Sequence, residues 1–154
     1  MVEELNAKLH IGIEADDEVV RLKTLYPEDY ILCAIDKDVL YQTPGTHYNY
    51  GKMETVTISS WQALKFKYYQ AIAGDPVDGY KGVPGIGPKR AEKALADCKN
   101  ERELWVATLL AYKSKGLRRS EAIKTMRLAC MHQYNGTDVV LWTPPLRDVE
   151  VKGV

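Results

Sequence analysis

The sequence predicts an α/β fold with a helical C-terminal half, on three observations. Tyr30-Ile31-Leu32-Cys33-Ala34-Ile35 is a continuous apolar run of strand length, which fits a strand buried on both faces of a sheet flanked by helices. Thr46–Tyr50 and Thr55–Ile58 flank Gly51-Lys52 and are rich in residues that favour extended backbone, so they read as a hairpin. The stretches from Ser59 to Gly74 and from Pro88 to His132 instead repeat apolar residues at helical spacing.

Element by element, a first helix is expected from about Glu14 to Leu25. Val19, Val20, Leu22 and Leu25 give it an apolar stripe, and Pro27 stops it. Asp36 then falls at the C-terminal end of the apolar strand, where open α/β sheets bind ligands. Ser59 or Ser60 suits a helix cap. Trp61, Leu64, Tyr68 and Ile72 follow at helical spacing, and Gly74 ends that helix. Further helices are expected over about Pro88–Asp97, Glu101–Lys115 and Arg118–His132, with loops at Lys99-Asn100 and Gly116. Val139–Trp142 is extended, and Pro144-Pro145 keeps it from continuing as a helix. Trp61, Tyr68 and Tyr69 read as core, while Tyr48 and Tyr50 fit a half-buried hairpin and a base-stacking surface equally well.

Acids and bases balance at 21 each, but they are unevenly placed. Residues 1–50 hold ten acids against four Lys or Arg, and Tyr112–Arg127 holds six bases and one acid. An acidic half joined to a basic half suits a metal site beside a phosphate-binding surface. The three cysteines, Cys33, Cys98 and Cys130, lie far apart. They argue for a reducing, cytoplasmic setting without structural zinc. No apolar run is long enough to span a bilayer and no signal peptide is expected, so a membrane partner is not. His10, His47 and His132 are isolated in sequence and are read as non-catalytic.

Gly82-Val83-Pro84-Gly85-Ile86-Gly87-Pro88-Lys89-Arg90-Ala91 reads as a helix, a tight glycine turn and a second helix opening at Pro88. Glycines permit close backbone approach, Pro suits the first helical position, and free N–H groups at a helix start attract an anion. Lys89, Arg90 and Lys93 add positive charge. The run resembles helix-hairpin-helix modules that grip the DNA backbone without reading sequence. That resemblance names Gly82, Val83, Gly85, Ile86, Gly87, Lys89, Arg90 and Lys93 as the DNA-binding set.

Three acidic clusters stand at expected element ends: Glu14-Ala15-Asp16-Asp17, Asp36-Lys37-Asp38 and Asp75-Pro76-Val77-Asp78. Glu14 and Asp17 share a helix face at three-residue spacing, and Asp36 and Asp38 can converge from a turn. Taken singly, such acids also serve as helix-dipole partners or turn formers. Taken together, oxygen donors in this number suit Mg²⁺ or Mn²⁺, and two such ions can promote phosphodiester hydrolysis.

In order and spacing, these clusters followed by Gly82-Val83-Pro84-Gly85-Ile86-Gly87 are similar to the 5′ nuclease family. The family includes bacteriophage flap endonucleases and the 5′ to 3′ exonuclease domain of bacterial DNA polymerase I, and the likeness spans about residues 10–96. It implies the C-terminal portion of a three-layer, PIN-like nuclease domain over residues 1–73. A helix-hairpin-helix (helix-three-turn-helix) subdomain with basic helices would fill residues 74–154. It assigns Glu14, Asp16 and Asp17 to one Mg²⁺ or Mn²⁺ site, and Asp36, Asp38, Asp75 and Asp78 to the second. All seven are then catalytic, acting through the metals. The resemblance further implies duplex or branched DNA as substrate and a K⁺ held by carbonyls of the glycine turn. Two departures matter. The strand, aspartates and basic arch with which the family begins have no counterpart before Glu14, so a separate N-terminal nuclease chain is an expected partner. The family commonly carries Asn where Gly79 follows Asp78. The alternative reading is a non-catalytic DNA-binding or scaffolding module derived from such a nuclease.

Overall fold

A computed structural model describes residues 11–131, 133–135 and 138–145. His10 and His132 lie outside them. The elements run α1 (Ala15–Leu25), β1 (Leu32–Ala34), α2 (Lys37–Gln42), β2 (Gly45–Asn49), β3 (Glu54–Ile58), α3 (Ser60–Ala73), β4 (Gly74–Asp75) and β5 (Tyr80–Lys81). Then come α4 (Pro88–Leu95), α5 (Glu101–Lys113), α6 (Arg119–Ala129), β6 (Gln133–Asn135) and β7 (Asp138–Val140). The fold is thus mixed α/β, with a three-stranded sheet ordered β1-β2-β3. β1 runs parallel to β2 and β2 antiparallel to β3, with Leu32 opposite His47 and His47 opposite Val56.

The hairpin and the helices form close to where the sequence places them, each for a local reason. Ser59 caps α3 by accepting the backbone N–H of Gln62, whose side chain in turn accepts from Ser59 N. Asn100 caps α5 by accepting from Glu103 N. Pro88 opens α4 at the position where a missing N–H costs nothing.

β1 is not the doubly buried strand that the apolar run suggests. Leu32 is 7% exposed, but Ile31 and Ile35 are 64% and 58% exposed. The reason is position: among the described residues β1 is the outer strand of the sheet, bonded to β2 alone. The sequence also gives no hint of α2, whose six residues are too few to display a helical period. Asp36 starts it by accepting the N–H of Asp38 at 2.6 Å. A third difference concerns the segment before the glycine turn. The helix there, α3, ends at Ala73, and the short β4–β5 pair intervenes before Gly82.

α3 is the central helix, packed against α2, α4, α5 and α6. The main core gathers Tyr68, Ile72, Leu95, Leu104, Trp105, Tyr112 and Met126, all buried. Burying rings of this size contributes up to about 4–6 kcal/mol each by area. The Tyr112 hydroxyl donates to Ala71 O at 2.8 Å, which satisfies the one polar atom that ring brings inside. A smaller cluster of Val20, Leu32 and Val39 joins α1 to the sheet. His47 is fully buried, with Nε2 2.7 Å from Thr43 O. Burial holds its pKa below the usual imidazole value, so it is neutral and structural. No helix among the described residues is long and apolar enough to cross a membrane.

Candidate metal centre and phosphate-binding turn

The three acidic clusters lie far apart in sequence, yet they meet. Glu14, Asp16, Asp17, Asp36, Asp38 and Asp78 line one cleft of about 380 Å³, together with Arg127 and residues 128–131 at the end of α6. α1 brings the first three from its N-terminal end, the β1–α2 junction brings the next two, and the β4–β5 loop brings Asp78. Like charges so placed oppose one another. The Asp16 carboxyl is pushed up first by burial and then by Asp36, Glu14 and Asp17.

Asp38, Asp75 and Asp78 come closest, each offering an oxygen within 4.8 Å of the others. No other trio of His, Cys, Asp or Glu among the described residues does so. Asp36 lines the cleft but spends one oxygen on the α2 cap. Asp75 is the most buried, at 3% exposed, and both its oxygens are engaged. Oδ2 accepts from the Lys37 ammonium, and Oδ1 accepts from Val77 N at 2.9 Å. Burial alone would raise its pKa, but these donors outweigh it and hold Asp75 below the usual carboxylate value.

Asp38 goes the other way. Burial and a carboxyl–carboxylate hydrogen bond with Asp78 push it up to about 7, against the opposing pull of Lys37 and Gln70. Its Oδ1 accepts from Gln70, which stands in a buried chain of amides. Gln42 Nε2 donates to Gln70 Oε1 and to Ala129 O, both at 2.7 Å, and Gln42 Oε1 accepts from Met131 N at 2.9 Å. This chain ties the ends of α2, α3 and α6 to one carboxyl of the trio. The sequence places Gln70 in the helix from Ser59 to Gly74 but gives no sign that Gln42, 28 residues earlier, meets it; only the fold shows that.

A raised carboxyl makes stability depend on pH. Asp38 ionises near 3.8 in the unfolded chain and at about 7 when folded. Its contribution is therefore fully present below about pH 4 and lost as pH rises through 7. Asp38→Asn keeps the hydrogen-bonding shape without the charge. In EDTA at pH 8 it is expected to melt above the wild type, by about 2 kcal/mol once solvent screening is allowed for. Its melting temperature should also vary less between pH 4 and 7. A lower melting temperature at pH 8 would contradict this account of Asp38.

The donor set fits a hard divalent cation: three carboxylates, one already drawn to a cation of the chain itself. The Tyr80 hydroxyl adds to the fit. Tyr80 is 7% exposed, its hydroxyl bonds to none of the described residues, and it feels the charges of Asp38, Asp75 and Asp78. Burial first, then those three acids, push its pKa up and keep the phenol protonated as a donor.

Beyond β5, the chain crosses the end of α3 and opens into the glycine turn. Val83 is buried and donates its N–H to Ile72 O at 2.8 Å, while its carbonyl accepts from Ile86 N. Val83 therefore anchors the turn to the end of α3. The accessible part is Pro84–Gly87 with the start of α4. Gly85 takes φ +74, a conformation that favours glycine, and its carbonyl accepts from the Arg90 guanidinium at 2.9 Å. The N–H groups of Gly85 and Gly87 bond to none of the described residues. Lys89, Arg90 and Lys93 are exposed beside them. Lys115, just beyond the end of α5, completes the ring of charge: its ammonium lies 4.0 Å from where a Gly85 Cβ would stand. Comparison of the chain with protein families, with curated proteins and with solved structures finds no match.

Proposed function

We propose that this chain binds duplex or branched DNA through the glycine turn and takes part in divalent-metal-dependent hydrolysis of its phosphodiester backbone, as a 5′ nuclease or part of one. The observation that carries this reading is the meeting of six of the seven predicted carboxylates in one cleft, with the seventh, Asp75, closing the Asp38–Asp78 trio. Chance placement of turn-forming acids gives no reason for three clusters to converge. The loop that carries Asp75 and Asp78 leads within a few residues to the anion-seeking turn.

In this reading Asp38, Asp75 and Asp78 hold one Mg²⁺ or Mn²⁺, and Glu14, Asp16, Asp17 and Asp36 contribute to a second. When bound, such ions polarise the phosphate and activate water for attack. The chain's own residues do the rest. Gly85 and Gly87 N–H groups, Lys89, Arg90, Lys93 and Lys115 grip backbone phosphates, which gives salt-dependent and sequence-independent binding. Arg127, whose Nε is fixed by Trp142 O at 3.2 Å, faces the acidic cleft and can meet a phosphate there. The helix-hairpin-helix assignment rests on this turn. The acids from α1 belong to no such trio among the described residues, which fits a further segment or a separate nuclease chain completing that half of the site.

The test is cleavage of an end-labelled 5′-flap duplex in Mg²⁺ or Mn²⁺, with EDTA as control. Metal-dependent cleavage is expected, either by the chain alone or with the completing chain added. Binding without cleavage in both arms would overturn hydrolysis and leave a DNA-binding module.

The turn has its own test. Gly87 has φ −88, and a Cβ there would meet nothing in the protein. Gly87→Val should fold normally while its side chain fills the space an approaching phosphate needs. Affinity for duplex DNA at fixed salt is expected to fall about tenfold, near 1.4 kcal/mol. Unchanged affinity in fluorescence anisotropy would count against the turn as the DNA grip.

A further inference from the structure

The metal reading leaves Lys37 unexplained. It stands between two of the proposed ligands, Asp36 and Asp38, and its side chain turns into the trio to pair with Asp75. Asp75 Oδ1 is held by Val77 N, so Oδ2 is the oxygen that Asp75 has left for a cation, and the Lys37 ammonium is on it. One oxygen cannot serve the ammonium and a metal ion at full strength together. The two ends of this pair differ greatly in freedom: the Asp75 side chain is 4% exposed, whereas that of Lys37 is 46% exposed. A long, half-exposed stem can swing its ammonium into water at little cost. Asp75 cannot turn away without giving up its bond from Val77 N and its buried place. Nearby, the buried Tyr80 hydroxyl, which feels the charges of Asp38, Asp75 and Asp78, finds no hydrogen-bond partner among the described residues.

We propose that Lys37 is a tethered cation which neutralises Asp75 while the centre is empty and yields that carboxylate to an incoming divalent ion. It therefore stabilises the metal-free protein and weakens the apparent metal affinity of the site. The inference rests on the trio being a metal site, and its test separates the two.

The probe is Mn²⁺ alone, titrated calorimetrically into EDTA-treated and desalted protein, alongside thermal melts in EDTA. Lys37→Gln is expected to bind Mn²⁺ about tenfold more tightly than the wild type and to melt lower in EDTA. Lys37→Arg, which keeps the charge, should stay within about threefold of the wild-type affinity. Lys52→Gln supplies the control for general charge, since Lys52 pairs with Glu54 at 3.6 Å in an exposed position away from the trio. Equal or weaker Mn²⁺ binding by Lys37→Gln, or an equal gain in Lys52→Gln, would overturn the role given to Lys37 while leaving the metal site standing. Failure of every variant and of the wild type to bind Mn²⁺ would overturn the metal site itself, and the proposal with it.

Discussion

Gly82→Ala is expected to destabilise the protein by about 3 kcal/mol, the cost of forcing one carbon against fixed backbone. A Cβ on Gly82 would stand closer than 3.0 Å to Gly74 N, Ile72 O and Ala73 C, all backbone atoms at the end of α3. No rotamer change relieves such an overlap. Gly74 presents the same problem from the other side, because its own Cβ would overlap Gly82 N and its φ is +77. The two glycines let the chain cross itself, and the crossing holds three things at once. It seats Val83 in the core, keeps its N–H on Ile72 O, and fixes the loop that carries Asp75 and Asp78. Gly79→Ala is the matched control. Gly79 has φ +73 but open space around it, so only the conformational cost of about 1 kcal/mol applies. Urea denaturation should rank the wild type first, Gly79→Ala second and Gly82→Ala last. A Gly82→Ala chain as stable as Gly79→Ala would show that the crossing yields easily.

That crossing also marks where the fold stops being legible in the sequence. Long elements with strong local signals could be read directly: α3 from its serine cap and apolar period, the β2–β3 hairpin from its Thr- and Val-rich arms, and α4 from Pro88. Short elements could not. α2 and the β4–β5 pair depend on single capping bonds and on contacts between distant glycines, which leave no period to detect. The apolar run at Tyr30–Ile35 misled for a related reason. Hydrophobicity reports a preference for burial, whereas the actual burial of Ile31 and Ile35 depends on whether a neighbour lies beside β1, and among the described residues only β2 does.

The candidate site divides along the same line. Its carboxylates were visible because each cluster sits at an element end, and a shared site for them was what the resemblance to the 5′ nuclease family implied. The residues that tune those carboxylates were not visible. Lys37 reads as one more surface lysine until its ammonium is found on Asp75. Gln42 and Gln70, 28 residues apart, share a hydrogen bond that no local pattern encodes. Tyr80 reads as a loop aromatic until its hydroxyl is seen to be buried without a partner among the described residues. Arg127 and Lys115 lie in a basic stretch that suits a solvated face equally well. Only the packing of α5 and α6 separates the two that face the cleft and the turn.

Neutralising both carboxylates of the β4–β5 loop should separate cleavage from binding. Asp75→Asn with Asp78→Asn is expected to lower metal-dependent cleavage by at least about a thousandfold, near 4 kcal/mol of lost stabilisation. Of the trio, only Asp38 would keep its charge, and Lys37 would remain beside it as a competing cation. The fold should tolerate the change. The amide oxygen that replaces Asp75 Oδ1 can still accept from Val77 N, and the lost ion pair with Lys37 is half exposed on the lysine side. DNA affinity should hold or rise slightly, because two negative charges leave the neighbourhood of the phosphates while the turn keeps its N–H groups and its lysines. Single-turnover cleavage and anisotropy on the same flap duplex measure the two quantities side by side. Cleavage retained within tenfold would place the reaction outside the trio. Parallel loss of cleavage and binding would instead mean that the two substitutions had disturbed the loop leading into the turn, a result that melting in EDTA would reveal independently.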